Sequence, residues 1–204
     1  QMAKVIGFVN QKGGVGKTTS TINVATYLAE AGKKVLLVDL DPQGNASSGL
    51  GIDARRLEKN LYHAMILGLP TQELILRTET ERLHIVPAAQ DLAGAEIEMV
   101  HIENREFRLH NAIRQVRPYY DYILIDSPPS LGLLTVNGLV ASDEVIIPVQ
   151  TEYYALEGLL QLLGTIELVR EHLQPNLKIS GALLTLFDRR NRLARQVVSE
   201  VRSH

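Results

Sequence analysis

The chain reads Asn10-Gln-Lys-Gly-Gly-Val-Gly-Lys-Thr-Thr19 between an apolar run, Val5 to Val9, and a helix-like run, Ser20 to Ala31. A strand, a glycine-rich loop and a helix in this order form the setting that a phosphate-binding loop requires. The stretch therefore predicts a nucleotide site and the first unit of an α/β fold. The alternative is a glycine-rich turn in which the two lysines occur by chance.

Each part of this loop has a physical role beside a phosphate chain. The glycines allow backbone angles that side chains forbid, so that successive N–H groups can face the anion. Lys17 supplies a positive charge toward the β- and γ-phosphates, and Thr18 supplies a hydroxyl for Mg²⁺. The helix that follows turns its positive end toward the same anion. The loop thus predicts that the chain binds ATP or ADP together with Mg²⁺.

Apolar, β-branched runs alternate with helical stretches along the rest of the chain. The runs predict strands at Val5 to Val9, Val35 to Val38, Leu83 to Val86, Tyr122 to Ile125, Glu144 to Val149 and Ile179 to Leu184. Helices are predicted at Thr18 to Ala31, Leu57 to Ile66, Gly94 to Val100, Phe107 to Val116, Gly132 to Val140, Leu156 to His172 and Leu193 to Val201. Continuous apolar strands indicate a mostly parallel, doubly wound α/β sheet with helices on both faces. The segment Pro42 to Gly51 is predicted to be a loop.

Composition narrows the function classes. The chain has no cysteine, which excludes disulfides, thiolate metal sites and a cysteine nucleophile. Its formal net charge is -2, so nucleic-acid binding would require a local basic patch. No run of 18 apolar residues occurs and no charged leader precedes the first strand, which predicts a soluble, cytoplasmic protein.

Three aspartates follow predicted strands and are candidates for the chemistry of a Mg-ATP site. Asp126 ends the run Tyr122-Ile-Leu-Ile-Asp126, as the Walker B pattern requires for holding Mg²⁺. Its alternative role is that of a capping aspartate. Asp39 and Asp41 close the run that begins at Val35. A hard cation takes oxygen ligands and hydrolysis needs a positioned water, so all three carboxylates qualify.

Four motifs resemble those of the ParA/MinD family of dimerising ATPases, within the P-loop NTPases of the deviant Walker A class. They are Lys12 to Thr19, Val35 to Asn45, Tyr122 to Pro129 and Pro148 to Gly158. The loop departs from the usual P-loop pattern because Gln11 replaces its first glycine and Lys12 adds a second lysine. The last motif resembles the chromosomal ParA (Soj) branch more than MinD.

The resemblance assigns roles to individual residues. It implies that Lys12 reaches the partner's nucleotide across a face-to-face dimer, whereas a lysine elsewhere is by default a solvated surface group. It also implies that Asp41 orients the attacking water and that Asp39 lies beside Mg²⁺ with Asp126 and Thr18, although the order of Asp39 and Asp41 stays open. The expected nucleotide contacts are Lys12, Gly13, Gly14, Val15, Gly16, Lys17, Thr18 and Thr19, and the expected catalytic residues are Lys12, Lys17 and Asp41.

A basic segment near the end of the chain is the candidate DNA-binding patch. It contains Arg189, Arg190, Arg192 and Arg195. Arginines suit sequence-independent phosphate contact, although a solvated charged helix face has the same pattern. The resemblance favours DNA, because ParA proteins bind it nonspecifically when ATP makes them homodimers. It further implies a ParB-like activating partner and a nucleoid-associated location.

The resemblance also implies that residues 1–204 form a single P-loop ATPase domain without the usual carboxyl-terminal strand and helix. Two other functions remain possible on this sequence. One is a MinD-like membrane-positioning ATPase, although no stable membrane association is expected because no amphipathic membrane helix is evident. The other is a metabolic P-loop enzyme that transfers phosphate to a small acceptor.

Overall fold

A computed structural model describes residues 2–10, 16–150 and 153–185 of the chain. Within them, seven strands form one sheet in the order β3-β4-β2-β5-β1-β6-β7. The strands are β1 Lys4–Phe8, β2 Val35–Asp39, β3 Leu76–Arg77, β4 Leu83–Val86, β5 Tyr122–Asp126, β6 Glu144–Gln150 and β7 Lys178–Thr185. All neighbouring pairs are parallel except β3 with β4. The predicted mostly parallel α/β sheet is confirmed.

Seven α-helices accompany these strands within the described residues. They are α1 Lys17–Glu30, α2 Asn45–Gly49, α3 Leu61–Met65, α4 Leu92–Met99, α5 Arg108–Arg114, α6 Leu133–Ala141 and α7 Tyr153–His172. Short 3-10 turns occupy Ala54–Arg56, Thr71–Leu74, Arg105–Phe107 and Arg117–Tyr119. None of the described helices is both long enough and apolar enough to cross a bilayer.

The alternation of strand residues shows that both faces of the sheet are covered. On one face Leu36 and Val38 pack into a core with residues of α3, α4, α5 and α6. On the other face Val35 and Leu37 pack with Ala25 of α1. Because side chains alternate across a strand, a strand that is apolar at every position needs a layer of structure on each side. This confirms the doubly wound architecture.

The largest differences from the sequence-based expectation concern two short helices and one strand. The predicted loop Pro42 to Gly51 was wrong, because it contains the short helix α2. The helix predicted from Leu57 begins only after Asn60, whose side chain accepts a hydrogen bond from the Tyr62 N–H and caps it. The strand β3 was not predicted; its two residues are too few to show a periodicity. The helix predicted at Leu193 to Val201 lies outside the described residues.

The middle of the sheet is packed tightly around Gly7 of β1. A Cβ atom at Gly7 would lie 2.5 Å from Ser142 Oγ, well inside contact distance. Ser142 follows α6 and its hydroxyl donates a hydrogen bond to the carbonyl of Gly138 at 2.6 Å. The glycine therefore allows α6 to approach the strand beside the P-loop.

Gly7→Ala is expected to lower the free energy of unfolding by about 1–3 kcal/mol, because the methyl group forces Ser142 and α6 to shift. The measurement is urea denaturation, repeated in a Ser142→Ala background where the clashing oxygen is absent and the cost of Gly7→Ala should shrink by about 1 kcal/mol or more. Gly164→Ala in α7 is the control, since a Cβ there meets no atom within 4 Å. Equal costs of Gly7→Ala in both backgrounds would contradict this packing.

Candidate nucleotide-binding site

The register of the sheet aligns the ends of three adjacent strands. Phe8 of β1 is level with Asp126 of β5, and Asp126 is level with Asp39 of β2. The P-loop begins two residues after Phe8, and parallel strands present their carboxyl ends at one edge of the sheet. The two aspartates and Phe8, which stands just before the P-loop sequence, are thus brought to the same edge by strand pairing alone.

Lys17 and Asp126 form a buried ion pair at this edge. Lys17 Nζ lies 2.5 Å from Asp126 Oδ1, and the two side chains are 6% and 0% exposed. The Thr18 hydroxyl donates to Asp126 Oδ2 at 2.8 Å, and the Thr21 hydroxyl lies 3.2 Å from Oδ1. A buried carboxylate is stable only when its oxygens have partners, and these three groups supply them.

The start of α1 places Lys17 and Thr18 beside that carboxylate. Gly16 precedes the helix with φ +75°, a left-handed conformation that glycine adopts without strain. Lys17 and Thr18 are the first two helical residues, so their backbone N–H groups are among those that lack a partner within the helix. A helix that begins here offers N–H donors, an ammonium and a hydroxyl on one side.

Asp39 is held rigidly by the segment that follows β2. Its carboxylate accepts hydrogen bonds from the Ser47 N–H at 2.9 Å, the Ser47 hydroxyl at 2.6 Å and the Asp41 N–H at 3.1 Å. Burial raises the pKa of Asp39 to about 7, against the lowering effect of the Ser47 hydroxyl, and the Asp126 carboxylate adds to the rise. A cation bound near Asp39 would favour its ionised form.

Asp41 lies two residues further on, in the turn that leads to α2. The side chain is 4% exposed and accepts a hydrogen bond from the Gln43 N–H at 3.0 Å. Its backbone carbonyl accepts from the Gly44 N–H at 2.8 Å, and Gly44 has φ +67°. Burial raises the pKa of Asp41, whereas the Gln43 hydrogen bond and the charge of Lys17 lower it. The turn therefore fixes the Asp41 carboxylate where the charge of Lys17 still acts on it.

The structure brings the described candidate residues together at one edge of the sheet. Lys17 and Thr18 contact Asp126 directly, Asp39 is level with Asp126, and the charge of Lys17 acts on Asp41. Gly16 and Thr19 belong to the start of the same helix, and both are exposed. The remaining candidates lie outside the described residues: Lys12, Gly13, Gly14, Val15, Arg189, Arg190, Arg192 and Arg195.

Two residues of the site were missed by the sequence reasoning. Thr21 hydrogen-bonds Asp126, and its position four residues after Lys17 on a helix places both on one face. Ser47 connects Asp39 to the Ala88 N–H, which donates to the Ser47 hydroxyl at 3.1 Å. Only its proximity to the Asp39–Asn45 run could have indicated Ser47, since the segment was expected to be a loop.

The oxygen atoms at this edge fit a magnesium ion that takes its other ligands from a phosphate chain and water. Mg²⁺ prefers hard oxygen ligands and usually takes only one or two from protein carboxylates. The Thr18 hydroxyl and Asp126 Oδ2, 2.8 Å apart, are such oxygens. Among the described residues there is no group of three acidic, histidine or cysteine side chains that could hold a metal by themselves.

The chain is similar to known proteins over nearly all of its length. The AAA_31 family model, described as an AAA domain, matches residues 3–179. The chromosome partitioning protein ParA of Myxococcus xanthus is 56% identical over 203 residues, which cover 100% of this chain and 72% of that protein. The sporulation initiation inhibitor protein Soj of Bacillus subtilis is 54% identical over 203 residues, covering 100% of this chain and 80% of the relative.

A solved structure extends this similarity to the fold. It is the crystal structure of cobyrinic acid a,c-diamide synthase from Mycobacterium smegmatis with bound ADP and magnesium. The TM-score is 0.92 and the sequences are 40% identical, over 100% of this chain and 82% of the synthase chain.

Ser47→Ala is expected to lower the free energy of unfolding by about 2 kcal/mol at pH 8, because it removes a donor from the buried Asp39 carboxylate and leaves the Ala88 N–H without its acceptor. Chemical denaturation followed by circular dichroism measures it. Ser48→Ala is the matched control in the same helix, since the Ser48 hydroxyl is exposed and, among the described residues, bonds only the Asn45 carbonyl at 3.2 Å. Equal stability of the two variants would show that Ser47 does not support Asp39.

Proposed function

The chain belongs to the AAA_31 family, within its ParA/Soj-type ATPases, and we propose that it hydrolyses Mg-ATP to drive the partitioning of a chromosome or plasmid. The observation that carries the ATPase assignment is the buried contact of Lys17 and Thr18 with Asp126 at the start of α1. The identities to ParA of Myxococcus xanthus and Soj of Bacillus subtilis support the partitioning role.

The nucleotide would bind where α1 begins. Phosphate oxygens are alternative acceptors for the Lys17 ammonium, which now contacts Asp126, and the first N–H groups of α1 add donors for the same anion. Mg²⁺, when bound, would neutralise phosphate charge and polarise the γ-phosphate. Thr18 and Asp126 would hold that ion, with Asp39 beside them. Thr19 would contact the α-phosphate.

Hydrolysis would depend on a water held by Asp41. Phosphoryl transfer needs little covalent chemistry from the protein, so its rate comes from alignment and charge neutralisation. Asp41 is fixed by the Gln43 N–H, and the charge of Lys17 lowers its pKa, which supports giving it the water-orienting role. Asp39 is less suited to this role because Ser47 and the Asp41 N–H already occupy its oxygens.

The remaining steps rest on the family resemblance. Lys12 would cross between two protomers to the partner's nucleotide, so that ATP produces a homodimer. Arg189, Arg190, Arg192 and Arg195 would bind DNA without sequence preference. A ParB-like partner would accelerate hydrolysis and release the dimer, which would make the protein cytoplasmic and nucleoid-associated. Residues 1–204 would act as one ATPase domain.

A second candidate function follows from the similarity to the cobyrinic acid a,c-diamide synthase. An amide synthase uses ATP to activate a carboxylate for attack by an amine, so its ATP consumption depends on that acceptor. A partitioning ATPase consumes ATP with water as the only acceptor and responds to DNA and a partner protein. Measuring ATP turnover with no carboxylic acid present therefore separates the two functions.

Asp41→Ala is expected to bind ATP with little change but to hydrolyse it at least about 100-fold more slowly, because the change removes water positioning and leaves Lys17 and Thr18 intact. Phosphate release measures turnover, and calorimetry measures ATP binding. Asp53→Ala is the control, as Asp53 is partly exposed and pairs with Arg55 far along the chain from the P-loop. If Asp41→Ala turns over ATP at the wild-type rate and Asp39→Ala is inactive, Asp39 and not Asp41 orients the water.

DNA binding is expected to require ATP, to ignore sequence and to weaken steeply with salt, because it comes from phosphate contacts of a basic patch that dimerisation duplicates. Interferometry with ATP, ADP or no nucleotide at several salt concentrations tests this. The double variant Arg189→Glu/Arg192→Glu should lose DNA affinity and keep the ATP-dependent dimer seen by light scattering.

The matched control for that experiment is Arg55→Glu/Arg56→Glu, which makes the same change in net charge at two arginines that are 91% and 88% exposed. It should bind DNA like the wild type. Equal loss in both double variants, or DNA binding that needs no ATP, would overturn the assignment of the patch. ATP-dependent pelleting with liposomes instead of DNA binding would favour the membrane-positioning function.

A further inference from the structure

A cavity of about 620 Å³ lies at the opposite end of the sheet from the nucleotide site. Its lining includes residues that stand directly before three parallel strands: Lys34 before β2, Arg82 before β4 and Asp121 before β5. Lys34 is five residues from Asp39, which corresponds to roughly 16 Å along an extended strand. A molecule in this cavity therefore cannot share contacts with a phosphate chain held at Lys17.

The cavity is positively charged. Neither the Lys34 ammonium nor the Arg82 guanidinium forms an ion pair with any residue that the structure describes. The acidic residue in the lining is Asp121, whose carboxylate accepts a hydrogen bond from the Lys34 backbone N–H at 2.8 Å. One oxygen of the Asp121 carboxylate is therefore occupied by a backbone N–H group. The two cationic residues of the lining are thus not neutralised by a described carboxylate and are available to an anionic ligand.

Arg82 occupies a backbone conformation that residues other than glycine rarely adopt. Its φ is +66°, in the left-handed region, which costs of order 1 kcal/mol or more for a non-glycine residue. The conformation is fixed because the Arg82 carbonyl accepts from the Val35 N–H at 2.9 Å and the Leu83 N–H donates to the Thr80 carbonyl. A glycine would satisfy this turn without strain, so the side chain at position 82 is placed here against a backbone cost.

Aromatic and neutral polar groups form the rest of the wall. Tyr119 is 63% exposed, which leaves much of its ring free to stack against a planar ligand. His84 Nδ1 lies 2.9 Å from the Tyr120 hydroxyl, and the two rings are perpendicular. Burial lowers the pKa of His84, and the charge of Arg77 lowers it further, so the imidazole is neutral at neutral pH. The wall therefore offers ring faces and hydrogen-bonding groups beside the cations.

We infer that this cavity binds a small aromatic phosphate, of which a nucleoside monophosphate is the simplest example. Lys34 and Arg82 would hold the phosphate, and Tyr119 would stack on the ring. The volume of the cavity lies within the range of small-molecule sites, about 300–1,000 Å³. The site remains accessible whatever covers the P-loop edge, because the two lie at opposite ends of β2 and β5.

The test is an NMR titration of the ¹⁵N-labelled chain with 5′-AMP. 5′-AMP lacks the β- and γ-phosphates that Lys17 would contact, so it should bind the new cavity in preference to the P-loop. Amide shifts are expected at Lys34, Arg82, His84 and residues 119–121, and not at residues 16–21. Adenosine has the ring without the phosphate, and inorganic phosphate has the charge without the ring. Each should bind at least about tenfold more weakly than AMP.

Two variants and one matched control locate the contacts. Lys34→Glu should weaken AMP binding about tenfold or more, because a cation that would contact the phosphate becomes an anion. Arg82→Gly should weaken it similarly while the melting temperature stays the same or rises, since glycine relieves the left-handed backbone. Lys33→Glu is the control: it makes the same charge change one residue earlier, at a lysine that lines a smaller neighbouring groove rather than this cavity.

An arm with a short single-stranded oligonucleotide identifies the source of the ligand. Displacement of AMP from the same amides by the oligonucleotide would support the ring-and-phosphate chemistry with a nucleic-acid strand as its source. AMP shifts that the oligonucleotide does not compete with would support a free nucleotide. The proposal is overturned if AMP causes no shifts up to 10 mM, a deliberately generous limit of roughly -3 kcal/mol. Shifts confined to residues 16–21, or an equal loss of binding with Lys33→Glu, would overturn it too.

Discussion

The buried contact between Lys17 and Asp126 is the interaction on which the nucleotide site depends. It joins the first residue of α1 to the last residue of β5, with both side chains almost fully removed from water. Removing both charges from water is costly, and the cost is offset only when every oxygen of the carboxylate has a donor. The Thr18 hydroxyl donates to the second oxygen, and the Thr21 hydroxyl, which donates to the Lys17 carbonyl at 2.8 Å, also lies 3.2 Å from the first. The pair thereby fixes the start of α1 against the strand ends, where a phosphate chain would need it.

Asp39 is the second buried carboxylate at this edge of the sheet, and different groups stabilise it. No cation among the described residues pairs with its carboxylate; backbone and hydroxyl donors from α2 and the preceding turn surround it instead. Asp126 and Asp39 are neighbouring carboxylates. Asp126 is paired with Lys17, whereas burial raises the pKa of Asp39 to about 7, so this edge has less positive charge than two ionised carboxylates need. A divalent cation bound here would favour the ionised form of Asp39 and would leave Lys17 available for phosphate.

The sequence predicted the elements whose signal is local and missed those that tertiary contacts decide. The run Val35–Asp39 is apolar and β-branched up to its aspartate, so both the strand and the functional residue at its end were visible. The helix α2 reads Asn-Ala-Ser-Ser-Gly, which has little helical propensity. It forms because Ser47 bridges Asp39 and the Ala88 N–H, a contact between segments 41 residues apart.

The site residues follow the same division. Lys17, Thr18 and the three aspartates were predicted because their chemistry is tied to a motif or to a strand end. Thr21 and Ser47 support those residues from neighbouring turns. The spacing of four residues from Lys17 places Thr21 on the same helix face, but no spacing rule distinguishes Ser47 from any other hydroxyl residue. The strand β3 pairs antiparallel to β4 through only two residues, so its existence depends on the neighbour and not on its own sequence.

Parallel pairing also places the cationic cavity. Lys34 and Asp121 line it because they precede the same two strands that end at Asp39 and Asp126. The topology that gathers carboxylates at one end of β2 and β5 gathers the residues before them at the other, so the two ends can hold different ligands at the same time.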